Sequence, residues 1–470
     1  MDVSPNTRRA TRHRALAFAI AAAFASILAP TAEATSSVVP VLPALRTVGV
    51  PHTTAGPKPH GVLRTIIENC DDTGPGSLRD AYFHAVDGEE LDLTQLACSR
   101  ITLTTGALTD GVANVGLFGP GSGALTIDGS YLDRVFVHNG NGELHVEGLT
   151  ITQGGYAGTY GGACVYSYGD VYLRDVTVTG CSLSASGNVP MYGGGLFVRG
   201  ETWLFDSVVS HSHVNAPDVN SGGGGIASGK MIVVAYSTIS DNSLVCSGAR
   251  YCRGGGVFAD GHTQVDASTV SGNVAESGAG IFHRGDQYDQ YLLIQQSTIS
   301  DNRASGAAGG VFANRHSLIT DSTITQNTSD FPFGAGVYLY TTQPVTMYGT
   351  IVAGNTSGDG LNQADLAGTP GFIVAGSHNL VVASTLTLPD DTLSGDPRLG
   401  PLQLNGGPTR THALLPGSPA VDRGLNRAQV GQFVYDQRGV GFPRTLGADT
   451  DIGAYESDDT IFADGFELPL

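Results

Sequence analysis

The sequence predicts an all-β chain wound as a single-stranded, right-handed parallel β-helix, with a cap at each end. Three observations lead there. A glycine cluster followed by apolar residues recurs through the middle of the chain. A second motif of Ser, Thr, apolar residues and a closing Asn follows each cluster. Glycine takes 66 of the 470 residues and charged side chains only 14%, a profile that suits short strands and tight turns rather than helices.

The elements follow in chain order. Residues 1–34 read as a secretory signal. Arg8, Arg9, Arg12 and Arg14 precede the small apolar stretch Ala15–Ala29, and Ala32-Glu33-Ala34 supplies a cleavage pattern. The apolar stretch is short for a membrane span, so the mature chain is expected to carry no transmembrane helix. Residues 35–63 form a linker. Residues 64–110 read as an N-terminal cap, with a short helix over Ser77–Val86 that Ser77 can cap.

The β-helix proper is expected over 111–385. Its glycine motif includes Gly193-Gly194-Gly195-Leu196-Phe197, Gly254-Gly255-Gly256-Val257-Phe258 and Gly334-Ala335-Gly336-Val337-Tyr338. Its second motif runs from Ser237-Thr238-Ile239-Ser240-Asp241-Asn242 to Thr350-Ile351-Val352-Ala353-Gly354-Asn355. Each copy is too short to stand alone and must stack on the next. Ile and Val are expected inside, Ser and Thr outside. Phe197, Phe258, Phe282 and Phe312 are expected to stack within the core. Asn242, Asn273, Asn302, Asn327 and Asn355 are placed to form an asparagine ladder. Residues 386–457 lose the repeat and gain proline, and read as the other cap. Residues 458–470 are a terminal tail.

Charge limits the partners. The chain carries 24 Lys and Arg against 43 Asp and Glu, a formal −19, which repels nucleic acid and anionic lipid. The six cysteines form three sequence-local pairs, Cys70 with Cys98, Cys164 with Cys181 and Cys246 with Cys252. Disulfides in an oxidising compartment are the natural reading. Neighbouring coils leave other partners open for Cys164 and Cys181.

The candidates for chemistry are sparse. A column four residues after the aromatic of each glycine motif holds Glu201, His262, Asp286 and His316. The last three would adjoin on successive coils and could serve hydrolysis or hold a metal. Met231 and Thr342 share the column, as a solvated turn would allow. A second column aligns Asp175, Asp206 and Asp321 with Tyr236, Ala267, Gln296 and Gly349. Tyr156, Tyr160, Tyr166, Tyr192, Trp203, Tyr288 and Tyr291 could stack on sugars. No cofactor or metal site is expected beyond weak Ca²⁺ binding at Asp458-Asp459 or Asp449 with Asp451.

Both ends resemble known proteins. Asn69-Cys70-Asp71-Asp72-Thr73-Gly74-Pro75-Gly76-Ser77-Leu78-Arg79-Asp80-Ala81 resembles the opening of bacterial secreted β-helix proteins. Gly395-Asp396-Pro397, Asn405-Gly406-Gly407-Pro408, Asp436-Gln437-Arg438-Gly439 and Asp451-Ile452-Gly453-Ala454-Tyr455-Glu456 resemble a C-terminal choice-of-anchor type domain. The repeats are similar to those of polymorphic outer-membrane proteins, without a C-terminal autotransporter barrel. The resemblance implies an exported protein of a Gram-negative surface or its surroundings, built as a pectate-lyase-like solenoid. The expected function is adhesive or structural display without catalysis. Its partners would be polysaccharide or a host or neighbouring cell surface. The alternative is a carbohydrate-active enzyme, a lyase or glycosidase, or a polysaccharide binder.

Overall fold

A computed structural model describes residues 63–185, 189–216, 220–246, 251–285, 287, 289–331, 334–358, 365–425 and 433–458. Its described strands pair almost entirely in parallel, each with the equivalent strand of the next coil, as in Val171↔Thr202, Thr202↔Ile232 and Ile232↔Thr263. The result is a β-solenoid of about ten turns with three faces. A wide sheet holds 21 strands, a second sheet ten and a third eight.

The wide sheet is bent, and each rung crosses it in two short strands. Thr263–Asp266 and Thr269–Ser271 are one such pair. Alternation along each strand sets the faces. Val265, Ile294 and Ile319 on the wide sheet and Val257, Ile281 and Val311 on the ten-stranded sheet point inward and are fully buried. Each such side chain contributes about 1.5–3 kcal/mol relative to exposure.

Left-handed residues make the corners. Asp175, Asp206, Tyr236, Ala267, Gln296, Asp321 and Gly349 all have φ near +50° and occupy the bend of the wide sheet. His211, Asp241, Gly272, Asp301, Gln326 and Gly354 form the next corner, and Gly193, Gly223, Gly254, Gly278, Ala308 and Gly334 the third. The column of aspartates seen in the sequence is therefore a backbone corner, where Asp, Asn and Gly cost least. At the glycine corner the first glycine supplies positive φ. The third supplies room: a Cβ on Gly280 would lie 2.6 Å from the Gly310 carbonyl oxygen and 3.0 Å from Asn302 Nδ2.

Two polar ladders run inside these corners. Asn242, Asn273, Asn302, Asn327 and Asn355 stand on successive rungs, essentially shut off from solvent. The backbone N–H and the Nδ2 of each donate to the Oδ1 of the next, at 3.0 and 2.9 Å for Asn273 to Asn302. Each Nδ2 also donates to a strand carbonyl, Val270 O for Asn302. The carboxylate of Asp365 ends the series by accepting from Asn355. A serine ladder runs beside it. The backbone N–H of Ser207, Ser237, Ser268 and Ser297 donates to the hydroxyl of the serine one rung on. These serines are buried, contrary to the expectation that motif serines face water. An inward hydroxyl can bond both its own turn and the next, which an outward one cannot.

The phenylalanines also depart from expectation. Phe197, Phe258, Phe282 and Phe312 alternate with the core valines and so lie on the opposite, outer side of the ten-stranded sheet. There they stack as a separate cluster, with centroids 5.8 Å apart for Phe258–Phe282 and 4.6 Å for Phe282–Phe312.

Parallel pairing does not begin at residue 111. Arg64–Ile66 already pairs with Glu89–Asp92, which pairs with Val115–Phe118. The helix Leu78–His84, capped by Ser77, buries Leu78 and Tyr82 against this first turn. At the far end Ser384, Thr387 and Leu393 pair singly with the previous coil, and Leu386 covers its core. The chain then doubles back. The antiparallel strands Leu399–Gln403 and Thr411–Leu414 and the turns after them lie along the outer flank of the wide sheet. Gln437 donates to Ser268 O and Thr269 Oγ1 and accepts from Thr298 Oγ1. His412 meets Ser300 at 2.9 Å and Arg444 meets Asp321 at 3.2 Å. Most of 386–457 is thus a lateral brace over several rungs.

Candidate functional site

The sequence column does not converge. Thr263 pairs with Leu292 and Tyr291 with His316, so Tyr291 stands between His262 and His316. The extra residues of 284–291 break the alignment that placed Asp286 there, and Asp286 itself lies outside the described residues. The His262 ring packs against Tyr291 at 4.4 Å, tilted by 46°, and its Nδ1 accepts the Tyr291 N–H. Burial holds His262 below the ordinary histidine range, with Asp289 opposing. His316 faces Gln343 at 3.0 Å. Glu201 lies on the coil two before that of His262.

Three disulfides join the sequence-local pairs, Cys70–Cys98, Cys164–Cys181 and Cys246–Cys252, with Cα separations of 6.3, 5.6 and 6.2 Å. Of the residues considered for Ca²⁺, Asp451 accepts from the Asp422 N–H and from the N–H and hydroxyl of Ser457. Asp459 lies outside the described residues. Among the described residues, no three His, Cys, Asp or Glu side chains gather as a metal-ligand set.

An ionic cluster on the wide sheet escaped the sequence reading. Glu143, His145 and Glu147 alternate along one strand and share a face. His145 Nδ1 lies 3.0 Å from Glu143 and its Nε2 lies 2.8 Å from Glu147. Burial works against the charged ring, but the two carboxylates outweigh it and hold His145 above the ordinary range. The ring stacks between Phe118 and Tyr172, at 5.4 and 4.4 Å. The i, i+2, i+4 spacing was the available signal.

The outer aromatic column is braced by arginines: Arg253 lies over Tyr251 and Phe282, and Arg284 over Phe258. Its rings spend their faces on one another, so only edges point outward in the middle of the stack. Of the aromatics considered for sugar contact, Tyr160 is half exposed and Tyr166 is buried. Tyr288 lies outside the described residues.

An open concave site lies elsewhere, on the outer face of the eight-stranded sheet. It is a groove of about 560 Å³ crossing three rungs. Gly155, Ala157, Ser182 and Ser184 form a floor of small side chains. Tyr131 and Leu132 rise at one side, 54% and 61% exposed. His211 and His213 close the other end, with His213 Nδ1 2.6 Å from Ser243 Oγ.

Tyr131 is held in an unusual way. Ser130 and Tyr131 both have positive φ, +50° and +58°, which a bulky residue adopts only under constraint. The constraints are visible. The Ser130 N–H donates to Asp128 at 2.8 Å and the Tyr131 N–H to Gln153 O at 2.6 Å. Gly155 lets the Tyr131 backbone pass close, since a Cβ there would sit 2.5 Å from the Tyr131 carbonyl oxygen. The Tyr131 hydroxyl reaches the neighbourhood of Gly180, two rungs on, 3.6 Å from where a Cβ would stand. The ring therefore lies lengthwise beside the floor.

Compared with known proteins, the chain matches no family model, no curated protein and no solved structure.

Proposed function

We propose that this chain is an exported, surface-associated or extracellular rod that displays contact segments and adheres without turning over what it holds. One observation carries the reading. Chain length varies between rungs at particular places while the ladders stay in step. From Ser to Asn in the wide sheet successive rungs take the same course, Ser237 to Asn242, Ser268 to Asn273 and Ser297 to Asn302. Between the Asn and the next glycine corner the chain runs from Asn242 to Gly254 on one rung and only from Asn273 to Gly278 on the next. A stiff register with variable excursions is what a display scaffold needs.

Two further features support it. The three disulfides suit an oxidising compartment. Among the described residues no helix is long and apolar enough to cross a membrane. Right-handed winding, favoured for parallel crossovers, and the resemblance of both chain ends to exported β-helix proteins belong to the same reading.

The test uses the purified protein with cells and with acidic and neutral polysaccharides. Retention on a surface, without release of reducing or unsaturated ends, is the expected result. Release of such ends that stops in His262→Ala would replace display with carbohydrate cleavage.

A further inference from the structure

We infer that the groove beside Tyr131 binds an uncharged saccharide chain; this rests on the display reading and names what one face of the rod would hold. The lining decides the chemistry. Tyr131 offers an exposed ring running along the groove, the shape that sugar rings stack on. Ser182, Ser184, His211 and His213 add hydroxyls and ring nitrogens that pair with sugar hydroxyls in either direction. An aliphatic ligand would offer these groups no hydrogen bond.

Charge narrows the class. Among the described residues no carboxylate, ammonium or guanidinium lines the groove, and a chain of net −19 disfavours acidic glycans. Geometry favours a polymer over a single sugar. The floor repeats small residues from one rung to the next, Gly155 then Ser182 in one register column and Ala157 then Ser184 in another, and His213 follows Ser182 as the end wall. The rungs are about 4.8 Å apart, and an extended sugar chain advances by close to one rung spacing per residue. A peptide strand has no opening here, because the strands carrying Ser182 and His213 are each paired on both sides.

The strained backbone is the independent observation. A tyrosine at φ +58°, more than half exposed, gains little packing for its conformation. Glycine or asparagine would sit there more easily. The ring's position over the groove is what that conformation provides.

The experiment titrates the purified protein with neutral xylo-, manno- and cello-oligosaccharides by calorimetry, with polygalacturonate as the charged control. Binding of at least one neutral series and none of polygalacturonate is expected. Tyr131→Ala and Tyr131→Asn should each weaken binding at least tenfold. Tyr131→Asn should melt no lower than the parent, because asparagine accepts the left-handed conformation; a purely structural tyrosine would lower the melting point instead. No neutral binding by the parent, or binding kept in both variants, would overturn the assignment. If the parent adheres to cells yet binds no neutral oligosaccharide, the groove assignment fails and display stands. If it adheres to nothing, display fails, and the titration still decides the groove.

Discussion

The rungs before residue 207 and those after it share one cross-section but are held differently. From Ser207 the serine ladder runs without a break to Ser322, and from Ser212 the asparagine ladder runs without a break to Asn355. Before them the same columns hold other residues. Register places Leu149 and Val176 in the serine column, and Gly154 and Cys181 in the asparagine column, ahead of Ser212, the first donor of that ladder. Cys164 occupies the place of the third glycine, which elsewhere makes room for the asparagine. The Cys164–Cys181 disulfide is thus the covalent counterpart of the glycine–asparagine contact. The early rungs add ionic devices that do not repeat, His138 buried against Asp110 at 3.0 Å and His145 between two glutamates. The proposed saccharide groove begins on these irregular rungs. Periodic bonding suits a segment that only has to extend; unique side chains can appear where the ladder does not claim the column.

The largest effect should come from breaking the ladder in its middle. Asn302→Ala strands the Asn273 N–H, the Asn273 amide and the Val270 carbonyl in a dry interior. Each orphaned group costs about 1–3 kcal/mol, so a loss of roughly 3 kcal/mol or more is expected in denaturant titration. A loss under 1 kcal/mol would mean the ladder is incidental.

Removing the disulfide should cost about 2–4 kcal/mol in Cys164→Ala/Cys181→Ala. The comparison is sharpened by Cys164→Gly combined with Cys181→Asn. If the two devices are equivalent, this pair recovers part of that loss. Equal instability of both double variants would show that they are not.

Overpacking at the same contact is next. Gly280→Ala pushes a methyl toward Gly310 O and Asn302 and should cost about 1–3 kcal/mol, read as a shift in unfolding midpoint without a change in slope.

How much of this was legible is clearest at particular residues. The turn of the solenoid was readable because Gly-Gly-apolar and Ser-Thr-Ile-Ser-Asp-Asn motifs repeat at coil length. The direction of Ser237 was not, because composition cannot tell a hydroxyl that faces water from one that bonds the next turn. Phe258 was misplaced for a related reason: Val257 and Phe258 are both apolar, and only strand register says which points inward. Counting from the aromatic failed at Asp286, where an insertion moved Tyr291 into the column. Tyr131 gave no signal at all, since its position depends on glycines 24 and 49 residues later that pass beneath it. The brace formed after residue 399 has no period to read.

A pH dependence is expected in that brace. Burial pushes Glu456 up to about 8, with Arg444 opposing. Its folded pKa lies above the unfolded carboxylate value of about 4.3. Its stabilising contribution is therefore complete below about pH 4 and is lost as pH rises through 8. Amides of the brace, such as Ala454 bonded to Thr323, should exchange faster at pH 8 than at pH 5 after correction for intrinsic rates. Glu456→Gln should flatten that difference.

Residue-resolved hydrogen exchange on the intact protein tests the stacked-rung account most directly. The backbone amides of Ser212, Asn242, Asn273, Asn302 and Asn327 each donate to a side-chain oxygen one turn away. They should be protected as one cooperative rank, opening together. Exchange of these amides at the rate of an unfolded chain, while neighbouring strand amides stay protected, would contradict it.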